Sequence, residues 1–175
     1  STSRPAPSEE AQTRAPQATP LEDTSNIEAT TGSANISEKS YAGSALIESG
    51  VQYYHQGQYE MALKSFSTAL KTQRVSKGDD SVGIAMTLGN LGAVYLQQNK
   101  LEEAEKVLHE ALDIKRRLAP TMPVADILNN LGNCANIRGE LEASLIYYED
   151  ALEDLRAKNG RKADEINALF NIGRL

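Results

Sequence analysis

From Tyr41 to the end of the chain, apolar residues recur three and four positions apart, the spacing of helices with one buried face. Leu88, Leu91, Val94 and Tyr95 show it most clearly. The pattern stops at Gly57, Asn99 and Gly139 and restarts at Tyr59, Leu101 and Leu141. Glycine and asparagine tolerate the left-handed conformation that a tight turn between helices needs. The restart at "LEEAEK" puts acids in a first turn, where the helix dipole favours them. The chain therefore reads as a series of helical hairpins, each a first helix, a short turn and a second helix.

The hairpins repeat. When "ESGVQYYHQGQYEMALKSFSTAL", "NLGAVYLQQNKLEEAEKVLHEAL" and "NLGNCANIRGELEASLIYYEDAL" are aligned, Gly50, Gly92 and Gly132 share one register. Gly173 of "NIG" falls at the same place, and the spacings are 42, 40 and 41 residues. Ala62, Ala104 and Ser144 follow the glycine by 12 positions, Phe66, Leu108 and Tyr148 by 16, and Ala69, Ala111 and Ala151 by 19. A glycine inside a helix costs roughly 1 kcal/mol against alanine. Its recurrence is explained if it faces the small residues 62, 104 and 144 and lets the two helices of a hairpin approach closely. The second helices are expected to end near "SKGDD", "LAPTMP" and "AKNGR", where Gly and Pro appear.

This multi-position pattern resembles the tetratricopeptide repeat, in the long form of about 42 residues similar to that of kinesin light chains. The resemblance implies an all-α fold, an α–α superhelical solenoid of antiparallel hairpins holding about three and a half repeats. These would span residues 43–80, 81–122 and 123–162, with a half-repeat at 163–175. The family's early tryptophan is replaced here by Leu46, Leu88, Leu128 and Leu169. The proline that ends the second helix in shorter repeats is replaced by Arg74, Arg116 and Arg156, so that helix can run further and lengthen the period.

Composition separates residues 1–41 from the solenoid at 42–175. The first forty are rich in Ser, Thr, Ala and Pro, lack aromatics, and carry six acids against Arg4, Arg14 and Lys39. Such a stretch cannot bury enough apolar area to offset the entropy of ordering, and is expected to be a disordered tail. Asn35-Ile36-Ser37 matches a glycosylation sequon, a tripeptide that arises often by chance. The chain begins at Ser1, as a processed product or a fragment would. No apolar run approaches the ~18 residues of a transmembrane helix. With a net charge of −6, a generally basic nucleic-acid surface is disfavoured.

Candidate chemistry is sparse. There is no phosphate loop, dinucleotide fingerprint, nucleophile-elbow serine or metal-binding histidine pair, so the reading is non-enzymatic, without cofactor or metal. Cys134 is the only cysteine and reads as a small packing residue, and His55 and His109 as surface or packing histidines. Lys71, Arg74, Lys77, Lys115, Arg116 and Arg117 gather at the ends of second helices, as do Arg156, Lys158, Arg161 and Lys162. Cations are favoured there by the dipole; an alignment into one edge that meets RNA or an acidic membrane is the sharper alternative.

The resemblance implies a concave groove lined by first helices that binds peptides. Two residues before the repeat glycines stand Glu48, Asn90, Asn130 and Asn171, and the third repeat adds Asn129, Asn133 and Asn136. Relatives use asparagines at such positions to hydrogen-bond an extended ligand's backbone, which a carboxamide matches as both donor and acceptor. The alternative is that these side chains brace adjacent repeats. The carboxylate clamp of chaperone-tail binders is missing, its positions being held by Ile47, Val51, Asp126 and Asn130. The expected function is a scaffold that binds a protein segment in an intracellular setting. A subunit or assembly factor of a larger complex, and a regulatory or adaptor fragment of a longer chain, are the alternatives. The half-repeat is apolar on most sides through Ile166, Leu169, Phe170, Ile172 and Leu175, and is expected to be covered by further chain, a second copy or a partner.

Overall fold

The computed structural model describes residues 34–77 and 81–175, with side chains for 43–76 and from 81 onward. Residues 1–33 of the expected tail lie outside the described residues, as do the side chains of the sequon. Among the described residues seven helices follow one another: α1 (Ala34–His55), α2 (Tyr59–Lys77), α3 (Val82–Gln97), α4 (Leu101–Leu118), α5 (Ala125–Arg138), α6 (Leu141–Ala157) and α7 (Lys162–Ile172). No strand occurs among the described residues. The second helices start at Tyr59, Leu101 and Leu141, where the pattern restarts, and end where Gly and Pro appear. Helix α1 begins at Ala34, so its first turns fall within the stretch that composition assigns to the tail.

The helices pack in antiparallel pairs, α1 with α2, α3 with α4 and α5 with α6; each pair stacks on the next, and α7 stacks on α6. Helices α1, α3, α5 and α7 touch in sequence along one side, which makes the chain an all-α solenoid. The three hairpin turns share one hydrogen-bonded form. Gly57, Asn99 and Gly139 adopt φ of 72°, 57° and 79°. The following amides, of Gln58, Lys100 and Glu140, donate back to the carbonyls of Tyr53, Tyr95 and Ala135 at 2.8–2.9 Å. This is the Schellman closure, which satisfies carbonyls left over at the end of a helix.

The repeat glycines answer to the large residues sixteen positions on. A Cβ at Gly50 would lie 2.6 Å from Phe66, at Gly92 2.5 Å from Leu108, and at Gly132 2.4 Å from Tyr148. The glycine thus makes room for a bulky side chain reaching across the hairpin, more than for the small residue twelve positions on. The small residue still matters: Ala62, Ala104 and Ser144 are all fully buried, and the Ser144 hydroxyl donates to the Gly132 carbonyl at 2.9 Å. At Gly173 the nearest atoms are only the helix's own backbone.

On α7 the registers that are buried inside the solenoid face outward. Ile166 and Leu169 correspond to Ala85 and Leu88 in repeat two and to Ala125 and Leu128 in repeat three, all four of them buried. Ile166 itself is 65% exposed and the neighbouring Phe170 62%. The Arg174 guanidinium lies over the Phe170 ring, 5.4 Å from its centroid.

Candidate binding cleft on the first-helix face

A cleft of about 580 Å³ opens where the four first helices meet. Val51 and His55 reach it from α1, Met86 from α3, Asp126 and Asn129 from α5, and Asp164 and Asn167 from α7. The α4–α5 loop adds Met122 and Pro123, and α4 adds Lys115 from its last turn. Met86, Asp126 and Asn167 stand six positions before their repeat glycines, and Asn129 three positions before. Residues three apart share a helix face, so these two registers form one stripe toward the cleft.

The loop is held from α6. The Asp154 carboxylate accepts the Val124 backbone N–H at 2.6 Å and pairs with Lys158 at 2.6 Å. The Lys158 ammonium donates in turn to the Met122 carbonyl at 3.1 Å. Lys115, almost fully buried, donates to both oxygens of Asp126 at 3.2 and 3.3 Å. Burial raises the Asp126 carboxyl above its ordinary range, while the Lys115 ammonium and the Ile127 N–H pull it back. Arg161 grips Asp164 through two nitrogens, at 3.0 and 3.3 Å. At least five of the ten cations that sequence places at the ends of second helices are paired with carboxylates in this way, Arg74 with Glu110 and Lys162 with Glu165 among them.

Of the six asparagines that sequence selects, Asn129 lines the cleft. Asn90, Asn130 and Asn133 are packed inside the solenoid. The Tyr148 hydroxyl donates to Asn133 Oδ1 at 2.7 Å, within the third hairpin. Neither Asn90 nor Asn130 is without an interaction in the chain. Asn136 and Asn171 are half-buried and do not line the cleft. Asn129 is 7% exposed, and its Oδ1 is sealed from solvent without a hydrogen-bond partner. Sequence reasoning missed Met86 and Asn167, met Val51 and Asp126 only as missing clamp residues, and met Lys115 only as a cation at a helix end. The signal for Met86, Asp126 and Asn167 was present in their common register, which carries no common residue type.

Among the described residues, no group of three or more His, Cys, Asp or Glu is arranged to hold a metal ion, and no helix is long and apolar enough to cross a membrane. Cys134 is buried, and that burial pushes its thiol up to about 12, with Glu105 adding to the effect and Arg138 opposing it. His55 and His109 are exposed.

Stacked helix hairpins of this kind define a helical-repeat solenoid. The chain belongs to the tetratricopeptide repeat family: two models of that repeat match it, over residues 41–117 and 124–164. A TPR repeat-containing protein of Dictyostelium discoideum is 27% identical over 115 residues, covering 63% of this chain and 7% of that protein. The crystal structure of BtubC (BKLC) from P. vanneervenii superposes with a TM-score of 0.69 at 24% identity, over 78% of this chain and 56% of the other. This chain thus spans a small part of the curated relative and about half of the solved one. Tetratricopeptide repeats generally mediate protein–protein interaction, and such solenoids are typically scaffolds rather than catalysts.

Proposed function

We propose that this chain is a non-enzymatic scaffold that holds an extended segment of another protein along its first-helix face. The observation that carries this reading is the cleft itself, to which all four first helices contribute side chains. Its volume suits a few residues of polypeptide and not a folded domain. In this reading Asn129 meets the segment, while the buried Asn90, Asn130 and Asn133 brace the helices that shape the face. Asn136 and Asn171 are the further positions from which a carboxamide could reach it.

The test is photo-crosslinking from p-benzoylphenylalanine placed at Asn167 in the cleft, or at the exposed Lys106 of α4 outside it. The expected result is a partner cross-linked from position 167 within one short segment, and none from 106. Cross-links from 106 alone would move the binding surface off the first-helix face.

A second reading, a subunit held in a larger assembly, is favoured by the α7 surface. Ile166, Leu169 and Phe170 present there an apolar face whose counterparts in repeats two and three are largely covered.

A further inference from the structure

The cleft is closer to neutral than its charged lining suggests. Lys115 is matched by Asp126, Lys158 by Asp154, and Arg161 by Asp164, all within the chain. A charged side chain entering here would give up its water without an unmatched opposite charge to meet. Between these pairs lies an aliphatic, adaptable stretch of Val51, Met86, Met122, Pro123 and Leu155, with His55, Asn159 and Asn167 as the other polar side chains of the wall. Methionine reshapes readily around an apolar guest. Set into this wall is Asn129, more than nine-tenths buried, with an acceptor oxygen that has no donor. The terminal torsion of an asparagine is soft, so its carboxamide can turn Oδ1 toward the cleft when a donor arrives.

We propose, building on the groove reading above, that the cleft receives one uncharged aliphatic side chain, of leucine or methionine size, from an extended protein segment whose adjoining backbone N–H donates to Asn129 Oδ1. An arriving N–H ends the desolvation penalty of a buried acceptor without a partner, which gives that hydrogen bond a larger return than one made to a hydrated group. The paired cations then act as a filter: they leave acidic segments nothing to neutralise. The aspartates do the same against basic segments.

The chain carries three methionines, two in the cleft and Met61 outside it on α2, so methyl signals report the site directly. The full chain, labelled with ¹³C-methyl methionine, is titrated with end-blocked nonapeptides of Ser, Thr and Ala carrying one central Leu, Met, Glu or Lys. The Leu and Met peptides are expected to shift Met86 and Met122 but not Met61, and to bind at least about tenfold tighter than the Glu and Lys peptides. Asn129→Leu should weaken the Leu peptide about fivefold. Methylating the peptide's central amide nitrogen should weaken binding to the wild type but not to that variant. Asn129→Ala replaces the variant if Asn129→Leu does not melt cooperatively.

Binding of the Glu or Lys peptide as tightly as the Leu peptide overturns the proposal, as does an N-methyl effect of equal size in both proteins. If position 167 cross-links a partner while no peptide moves Met86 or Met122, the aliphatic chemistry is wrong and the groove reading stands. Shifts confined to Met61, with no cross-link from position 167, would sink both.

Discussion

Leu108 occupies the space that a Cβ on Gly92 would need, with Cδ2 only 2.5 Å from that point and Cγ 2.6 Å. Both residues are buried at the centre of the second hairpin, so Leu108 cannot swing aside into solvent. Gly92→Ala gains about 1 kcal/mol of helix propensity. It also forces overpacking, at a cost of about 1–3 kcal/mol. The net expectation is destabilisation by up to about 2 kcal/mol in chemical denaturation. In a double-mutant cycle, Gly92→Ala should cost less on a Leu108→Ala background, where the clash is gone. A variant as stable as wild type would mean that the two helices can separate freely.

Asn130 and Asn136 should separate bracing from surface. Asn130 has 0% exposure and an interaction within the chain, so Asn130→Ala is expected to cost about 1–3 kcal/mol of stability. The half-buried Asn136, which hydrogen-bonds the Tyr148 hydroxyl at the edge of the core, should cost less when replaced by alanine, about 0.5–1 kcal/mol. Equal thermal midpoints for the two variants would contradict a bracing role for Asn130.

Lys115→Met leaves the Asp126 carboxylate without its ammonium. The side chain of Asp126 is 31% exposed, so the expected loss at pH 7 is about 1–2 kcal/mol, below the 3–5 of a fully buried pair. The sign of the pH dependence follows from the raised carboxyl. Its contribution is fully favourable below 3.8, the ordinary value, and is lost as pH rises through its folded value. Removing Lys115 raises that folded value further. The gap between variant and wild type should therefore narrow as pH falls from 7 toward 4, measured by urea unfolding at each pH. A gap that stays constant would show that the ion pair is not its source.

Cys134 reports on the closure of the core. Its thiol is pushed from 9.0 to about 12, so at pH 8 the native thiolate is scarcer by about a thousandfold than in the unfolded chain. Alkylation by iodoacetamide should be slowed at least a hundredfold until denaturant is added. Above pH 9 only the unfolded chain ionises there, and the raised Tyr95, Tyr147 and Tyr148 act in the same direction, so stability should decline as pH rises from 9 toward 12, and less steeply for Cys134→Ala. Rapid alkylation of the native chain would show that this core is open.

The α7 face should matter to association more than to folding. Ile166→Lys combined with Phe170→Lys is expected to change stability by no more than about 1 kcal/mol, both residues being exposed. If this surface meets another polypeptide, wild type should show concentration-dependent sedimentation, or co-migration with its partner, that the variant lacks. A cooperative melt lost in the variant would instead assign these side chains to the chain's own core.

The sequence by itself determined the hairpins. Their turns depend on local conformation, so Gly57, Asn99 and Gly139 marked each break, and the restarts at Tyr59, Leu101 and Leu141 could be read from periodicity. The glycine register was visible too, but its packing partner was not: Phe66, Leu108 and Tyr148, and not only the small residues, decide why glycine is needed. The binding face was the part that only tertiary structure decided. Asn129 and Asn130 are adjacent and chemically identical, yet one lines the cleft and the other is sealed in the stack. Neighbouring residues on a helix point about 100° apart, and composition cannot say which sector stays open. That depends on how each hairpin leans on the next. The same stacking brings Lys115 to Asp126 and Asp154 to Val124 across helices, contacts that no periodicity within one helix encodes.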